Sequence, residues 1–463
     1  MLMVALFMSL IDVSIVNVAL PSIQQGLDAS QSQLQWVLSG YALAFGVGLV
    51  AAGRAGDIYG RGALFIGGVA IFTVASMVCG VAQDATMLNI ARAFQGIGSG
   101  MLNPQAVGMI QQHFRGEERG RAFGFFGAAV GVSVAIGPVL GGVLIQLAGM
   151  EHGWRWVFFV NLPVGIAAIA LAARWFTKPL IASEASGRAS AAAIAQRLDP
   201  GGAVLLGLAV LAILLPFVES GTASWMWLSL PVGLALVAVW LWWERRQKRL
   251  GHDPMVDLDI FRVPSFANGA LLVSLYFVGI TSVWVLLALY MQNGLGHSAL
   301  ATGLIGLPSA ILSGVAALWG GRNVGRFGRR LVIGGLYFAL VGLGTSTLVV
   351  WLQAQGWASE WWLLLSLSFI GIAQGMVISP NQTLTLADVP LTYAGSSGGI
   401  MQTGQRIGTS VGIALITALA FGVLSRSGWP EAFMAGFAAI MVVVSLTLVV
   451  AYRDLRRRKL HTE

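Results

Sequence analysis

Fourteen long apolar runs constrain this chain of 463 residues more than any other feature. Roughly 20 apolar residues in a helix cross the hydrocarbon core of a bilayer, which is about 30 Å thick. Such runs lie at about 1–23, 34–53, 63–82, 87–112, 122–148, 156–176, 201–218, 225–243, 266–291, 300–320, 331–352, 361–386, 394–423 and 431–452. Lipid offers no hydrogen-bond partners to a bare backbone, and the runs lack the two-residue alternation of barrel strands. The expected fold is therefore an all-α polytopic membrane protein. Composition agrees: 57% of residues are hydrophobic and only 10% charged, whereas a soluble domain carries about 25% charge. Abundant aromatic and branched aliphatic residues exclude disordered and collagen-like chains.

The basic residues give the runs a sidedness. Taking connections alternately, one set holds Arg54 and Arg61; Arg115, Arg119 and Arg121; Arg174, Lys178, Arg188 and Arg197; Arg245, Arg246, Lys248, Arg249 and Arg262; Arg322, Arg326, Arg329 and Arg330; and Arg453, Arg456, Arg457, Arg458 and Lys459. The other set holds only Arg155 and Arg426. Cytoplasmic loops retain Lys and Arg, so both termini are expected inside, and a split of 23 to 2 collapses if one span is missed or invented. The net charge of +8 is then a topology signal with some attraction to anionic lipid, and no nucleic-acid partner is expected. A cleaved signal peptide is not expected at 1–23, which is too long for one.

Several classes of chemistry drop out. The single cysteine, Cys79, forms no intrachain disulfide and reads as a small buried hydrophobe. His113, His152, His252, His297 and His461 fall in or beside connections, without metal-ligand spacing. None of Lys178, Lys248 and Lys459 follows a glycine, so no phosphate-binding Gly-Lys-Ser/Thr loop exists. No enzyme, cofactor or metal is expected, and uphill movement would draw on an ion gradient or a partner.

Two matches reveal an internal repeat. Gly53-Arg-Ala-Gly-Asp57-Ile-Tyr-Gly60-Arg61 follows span two, and Gly321-Arg-Asn-Val-Gly-Arg-Phe-Gly328-Arg329 follows span ten. Phe94-Gln-Gly-Ile-Gly-Ser-Gly-Met101 in span four is matched by Phe369-Ile-Gly-Ile-Ala-Gln-Gly-Met376 in span twelve, with Pro104 and Pro380 beyond. Two six-span bundles, 1–176 and 265–452, thus flank a region at 177–264 of linkers and inserted spans seven and eight. A basic cytoplasmic tail is expected at 453–463.

Ionisable groups deep in lipid carry most of the chemistry open to such a chain. Asp12 lies about 16 Å along its helix from Met1, near the midplane, where an ionised acid costs roughly 2.5–3.5 kcal/mol. Desolvation favours the neutral form. A carboxyl that takes a proton from one side and releases it on the other couples proton flow to transport; the structural alternative is an acid permanently paired with an arginine. Arg92 and Arg406 are the intramembrane cations. Arg92 has the reach to snorkel to the outer surface, and it begins a polar stripe with Gln95, Ser99 and Asn103 along one helix face. Span twelve repeats the stripe with Gln374, Asn381 and Thr385. Such stripes face a cavity or another helix. Gly137-Pro138-Val-Leu-Gly141-Gly142 bends span five and allows close backbone approach. Asp57 and Arg61 are placed to form a latch that holds one conformation and releases in another. Trp36, Trp154, Trp225 and Trp361 read as interfacial anchors.

These motifs resemble the major facilitator superfamily, and within it the fourteen-span drug:proton antiporter branch. Leu10-Ile-Asp12-Val-Ser-Ile-Val-Asn17-Val-Ala-Leu-Pro21 is similar to that branch's first-span signature, and Gly53 to Arg61 resembles the superfamily loop motif, with Ala55 and Gly62 as departures. Arg92-Ala-Phe-Gln-Gly96 resembles the fourth-span motif tied to proton coupling. Gly137-Pro138-x-x-Gly141-Gly142 resembles the antiporter motif, with Ser133 in place of its leading glycine, and Trp154-Arg-Trp156-Val-Phe-Phe-Val-Asn161-Leu-Pro163 resembles a segment of the branch. The resemblance implies alternating access in the cell membrane and proton-driven export of lipophilic, often cationic compounds, with Asp12 and Arg92 in coupling. Candidate cavity residues are Asn17, Tyr41, Gln95, Ser99, Asn103, Gln374, Asn381, Thr385 and Arg406. Expected partners are small lipophilic substrates, protons and membrane lipids, for a monomeric protein. Glu219 and Asp388 sit at span ends, leaving Asp12 as the acid well inside a span and favouring monocations, neutral amphiphiles or lipids over dications. An envelope-lipid or metabolite exporter, and a non-transporting receptor, are the rival readings.

Overall fold

The computed structural model describes residues 2–149, 151–176, 198–218 and 224–460. Lys178, Arg188, Arg197, Glu219 and His461 lie outside the described residues, as do the side chains of Arg457, Arg458 and Lys459. All described regular structure is helical. The first helices are α1 (Leu2–Leu27), α2 (Gln31–Tyr59), α3 (Arg61–Gly80), α4 (Ala85–His113) and α5 (Gly116–Ala148). They are followed by α6 (Gly153–Phe159), α7 (Asn161–Trp175), the inserted pair α8 (Pro200–Val218) and α9 (Ser229–Arg249), and α10 (Pro264–Leu289). The last are α11 (Ala299–Phe327), α12 (Arg329–Ala354), α13 (Leu363–Thr385), α14 (Ala394–Leu424) and α15 (Trp429–Leu460).

Thirteen of the described segments are long and apolar enough to cross a membrane, α6 and α7 together counting as one. The exception is α4, expected as a span at 87–112, whose polar side chains lower its hydropathy although the helix has 29 residues. Helix starts follow local chemistry. A reciprocal capping box opens α2, with Ser30 Oγ accepting from Gln33 N at 3.3 Å and Gln33 Oε1 accepting from Ser30 N at 2.9 Å. Pro264 occupies the first turn of α10, where its missing N–H is harmless. The expected span 156–176 is two helices broken at Val160. Pro163 accounts for the break, since it cannot donate back across that turn. The basic residues beyond Tyr452 extend α15 as far as Leu460 instead of forming a separate tail.

Two compact units form, and they do not follow the sequence halves. One comprises residues 1–113, 140–262 and 389–403; the other comprises 114–139, 263–388 and 404–463. The start of α5 thus belongs with the later helices, and the start of α14 with the earlier ones. Within the first unit α4 packs on α2 and α3, and the inserted pair packs on α2 through α8. Its core gathers Ile15, Val16, Ile23, Val37, Leu88, Trp154 and Phe158. Trp154 is fully buried there rather than anchored at an interface, whereas Trp36, Trp225 and Trp361 are exposed. Within the second unit α13 packs on α11 and α12, and α15 on α10 and α12.

The repeat in sequence is also a repeat in packing. A Cβ on Gly96 of α4 would collide with the Tyr41 carbonyl of α2, and one on Gly100 would meet Phe45 O at 3.0 Å. Gly371 and Gly375, their counterparts on α13, lie equally close to the Ser309 and Ser313 carbonyls of α11. Glycine is needed at both because backbone meets backbone. Gly371→Val is expected to lower the thermal unfolding midpoint in detergent, through overpacking on the order of 1–3 kcal/mol. Gly142→Val, where an added Cβ meets nothing within 4 Å, should leave the midpoint nearly unchanged.

Candidate functional site

A network of polar groups lies inside the first unit, around the carboxyl of Asp12. Asp12 and Arg92 are 0% and 1% exposed and form an ion pair, Nη1 to Oδ2, of 2.6 Å. Oδ1 accepts from Gln95 Nε2 at 2.8 Å and from Asn161 Nδ2 at 3.0 Å. Gln95 Nε2 also donates to Ser76 Oγ at 2.7 Å, and Arg92 Nη1 to Gln95 Oε1 at 2.6 Å. Arg92 Nε donates to the Val37 carbonyl at 2.9 Å, and its guanidinium lies 4.3 Å from the Tyr41 ring centroid. Tyr41 Oη in turn is 2.6 Å from Ser99 Oγ. Five helices therefore contribute: α1, α2, α3, α4 and α7. Three donors converge on one carboxyl.

The fold brings these groups together by simple local devices. The helical repeat puts Arg92, Gln95, Ser99 and Asn103 on one face of α4, and that face meets α1 and α2. Arg92 does not snorkel; with Asp12, Gln95 and Val37 as partners, reaching the surface would strand the carboxylate. Cys79 is buried with its thiol 3.8 Å from Gln95 Oε1. The break before α7 sets Asn161 at a helix start, aimed back at Asp12. Ser76 and Asn161 were not singled out from sequence as site residues. Asn161 did lie in one of the quoted motifs, whereas Ser76 carries no signal among so many small residues.

The expected cavity residues divide differently. Gln95, Ser99 and Asn103 are buried against α1–α3 and not open to a cavity: Gln95 bonds Asp12 and Ser76, Ser99 meets Tyr41, and Asn103 reaches Ser9. Asn17 is exposed and bonds its own helix at Val13 O, 3.0 Å away. Gln374 and Arg406 are half-buried in the second unit. Asn381 and Thr385 do not line a cavity either. Asn381 accepts from Arg329 and donates to Gly269 O at 3.0 Å, and Thr385 Oγ1 bonds back to Asn381 O at 2.6 Å. Arg329 is fully buried and pairs with Asp454 at 2.6 Å, so Asn381 completes the partners of a buried cation. Asp454, which also accepts from Asn268 at 2.8 Å, is a buried acid in the last turns of α15, at a position sequence reading assigned to a solvated tail.

The four latch residues come together at the end of α2. Gly60 has φ 108°, a backbone open to glycine, and it turns the chain directly from α2 into α3. Asp57 Oδ1 accepts from Arg61 Nη2 at 2.7 Å and from Gly395 N at 2.9 Å, while Oδ2 accepts from Ser396 N and Ser396 Oγ, both at 3.0 Å. Asp57 thus caps the start of α14, where free N–H groups favour an anion. Arg61 Nη1 donates to Gly108 O at 3.0 Å and Gln112 Oε1 at 2.8 Å, and Nη2 to Leu391 O at 2.9 Å. Gly53 touches Gly395 backbone to backbone. In the second unit Gly321 touches Gly120 of α5 in the same manner. Of the span-five cluster, Gly141 is pressed on Ile15 of α1 and Gly137 is buried, Pro138 sits within the unbroken helix α5, and Gly142 is unconstrained.

The sequence pattern of the Major Facilitator Superfamily matches residues 2–226 and 182–413. A protein described as a probable actinorhodin transporter of Streptomyces coelicolor is 34% identical over 421 residues, covering 90% of this chain and 71% of that protein. The multidrug resistance protein Stp of Mycobacterium tuberculosis is 30% identical over 432 residues, covering 92% and 76%. Among solved structures, the proton:xylose symporter XylE superposes with a TM-score of 0.67 at 15% identity, covering 98% of this chain and 94% of that one.

Removing one partner of a buried ion pair leaves the other charge stranded, at about 3–5 kcal/mol. Arg92→Met is therefore expected to lower thermal stability markedly, and the double variant Asp12→Asn/Arg92→Met to recover part of the loss. Arg92→Lys should remain well below the wild type, because an ammonium cannot serve Asp12, Gln95 and the Val37 carbonyl in one fixed fork. Thermal unfolding of the purified protein in detergent measures all three.

Proposed function

The chain belongs to the Major Facilitator Superfamily, and we propose that it is a proton-coupled antiporter exporting lipophilic, cationic or amphiphilic small molecules. It is a multi-pass integral membrane transporter and not an enzyme. The proposed location is the plasma membrane, with fourteen spans and both termini cytoplasmic. The 23-to-2 charge split supports that topology, and α4, about 43 Å long at 1.5 Å per residue, supplies the remaining span. Relatives named for antibiotic transport and multidrug resistance support the substrate class.

The observation that carries the coupling reading is the buried Asp12 carboxylate with its three donors. A proton and Arg92 compete for the same carboxyl. When Asp12 is protonated its attraction to Arg92 falls, and the guanidinium is released toward the Val37 carbonyl, Gln95 and the Tyr41 ring. Helices α1, α2 and α4 are then free to adjust against one another. When the proton leaves, the ion pair re-forms and draws the helices back. Asp57, by capping α14, holds one end of the cycle in place, so its release is a separate step from the proton step.

Purified protein in vesicles with an imposed pH gradient should exchange protons for an added lipophilic monocation. Asp12→Asn should abolish that exchange while leaving a cooperative thermal transition. Undiminished exchange in Asp12→Asn would defeat the coupling assignment, and lipid movement without cation exchange would favour an envelope-lipid exporter. Asp57→Asn should retain proton binding yet slow turnover. Labelling of a cysteine introduced at Ser396 should then rise several-fold, because the α14 start loses its cap.

A further inference from the structure

The inserted pair α8 and α9 carries buried chemistry that the transport cycle above does not use. Asp199, with φ 45°, stands just before α8, and Glu244 lies in the last turns of α9; they are 4% and 1% exposed. Asp199 Oδ1 accepts from Gly202 N at 3.0 Å and from Trp243 Nε1 at 2.9 Å, and Oδ2 accepts from Trp243 Nε1 at 3.1 Å. Glu244 Oε2 accepts from Val256 N at 3.4 Å, but its Oε1 has no hydrogen-bond partner. The two carboxyls converge over Gly202. A Cβ there would collide with Asp199 Oδ2 and stand 2.9 Å from Glu244 Oε1. The indole of Trp240, buried and with its Nε1 also unpartnered, faces the same Glu244 carboxyl.

Among the described residues no cation pairs with either acid. Arg246 and His252 line, with Asp199 and Trp243, a cleft of about 410 Å³ beside the pair. Lys248 is engaged by Asp257 and Asp259, and Arg54 of α2 lies 4.0 Å from Asp253. Tyr393, at the approach to α14, donates to Asp257 at 3.0 Å. Two adjacent buried carboxylates with no balancing charge among the described residues favour holding a proton between them. A proton on one converts it from acceptor to donor toward the other.

We propose that Asp199 and Glu244 bind one proton between them, forming a proton site on the inserted helices that is separate from Asp12. The cleft at Asp199 connects it to water. Its other contacts give it a mechanical consequence. Glu244 Oε2 holds Val256, and Met255 and Val256 are wedged against Val50 of α2 and Trp240 of α9. Occupancy of the pair therefore bears on how the connection at 250–262 is seated against α2.

Infrared difference spectra of the purified protein in H2O and D2O test this directly. At neutral pH the wild type should show the C=O stretch of a protonated carboxyl, shifted by deuteration. The band should be lost in Glu244→Gln, where Asp199 keeps its Gly202 and Trp243 donors, shifted in Asp199→Asn, where the buried Glu244 bonds an amide instead of an acid, and retained in Asp12→Asn. Gly202→Ala keeps both acids but forces them apart, and should move the band without removing a carboxyl, so the reading survives if a charge-removing variant fails to fold. Absence of the band in the wild type, its persistence in Glu244→Gln, or an unshifted band in Asp199→Asn would overturn the proposal. So would its displacement by added Na⁺ or Ca²⁺, which would make the pair a metal-cation site.

Discussion

A charge placed in oil must bring its partners with it, and the arrangement of the first unit depends on that constraint. Asp12 cannot be satisfied by lipid, so α4 sends Arg92 and Gln95, α3 sends Ser76 behind Gln95, and α7 sends Asn161. Arg92 in turn needs the Val37 carbonyl and the Tyr41 ring of α2. The demand explains why α4 is the least apolar of the long early helices, and the break before α7 sets Asn161 within reach of Asp12. An ion pair of this kind adds little net stability by itself. What it supplies is a position in which side chains and carbonyls of five helices must meet.

The second unit meets the same constraint nearer a helix end. Arg329 opens α12 as Arg61 opens α3, but its partners differ. Arg61 bonds Asp57 on the preceding helix and carbonyls at Gly108 and Leu391, whereas Arg329 is sealed with Asp454 and Asn381. One repeat position joins α2, α4 and the approach to α14, and the other is an internal fastening. Glycine does the complementary work in both units. Where Gly53 meets Gly395, and Gly120 meets Gly321, helix backbones touch with no side chain between them. Those contacts tie the start of α14 to the first unit and the start of α5 to the second. Small residues and carbonyl oxygens seat these segments within each unit, and Ile400 of α14 adds an apolar contact to the cluster at Val50 and Trp240.

Much of this was legible in the chain. Hydropathy located the spans, although α2, α5, α9, α11 and α15 run 6 to 8 residues farther than the apolar runs, and the segments holding glycines 96, 100, 371 and 375 marked the internal repeat. Asp12, Arg92, Gln95, Asp57 and Arg61 stood out because charge is rare in such a sequence. Other expectations failed for one reason. Trp154, Asn381 and Thr385 carry the same residue types whether they face lipid, cavity or another helix, and periodicity assigns a face without naming what lies opposite. Asp199, Glu244 and Asp454 sit beyond apolar runs, where an acid is ordinarily solvated, so their burial left no mark in composition.

The order of residues by itself determined that the protein is a bundle of membrane-crossing helices with two related halves. Backbone groups in lipid admit no other form, and apolar length is a local property of the chain. Only the tertiary structure decided that Asp12 is paired, that the halves exchange helix segments, and that two acids face each other on the inserted helices. Each of these turns on which surface meets which across hundreds of residues, and that is fixed by packing and by the need of every buried polar atom for a partner.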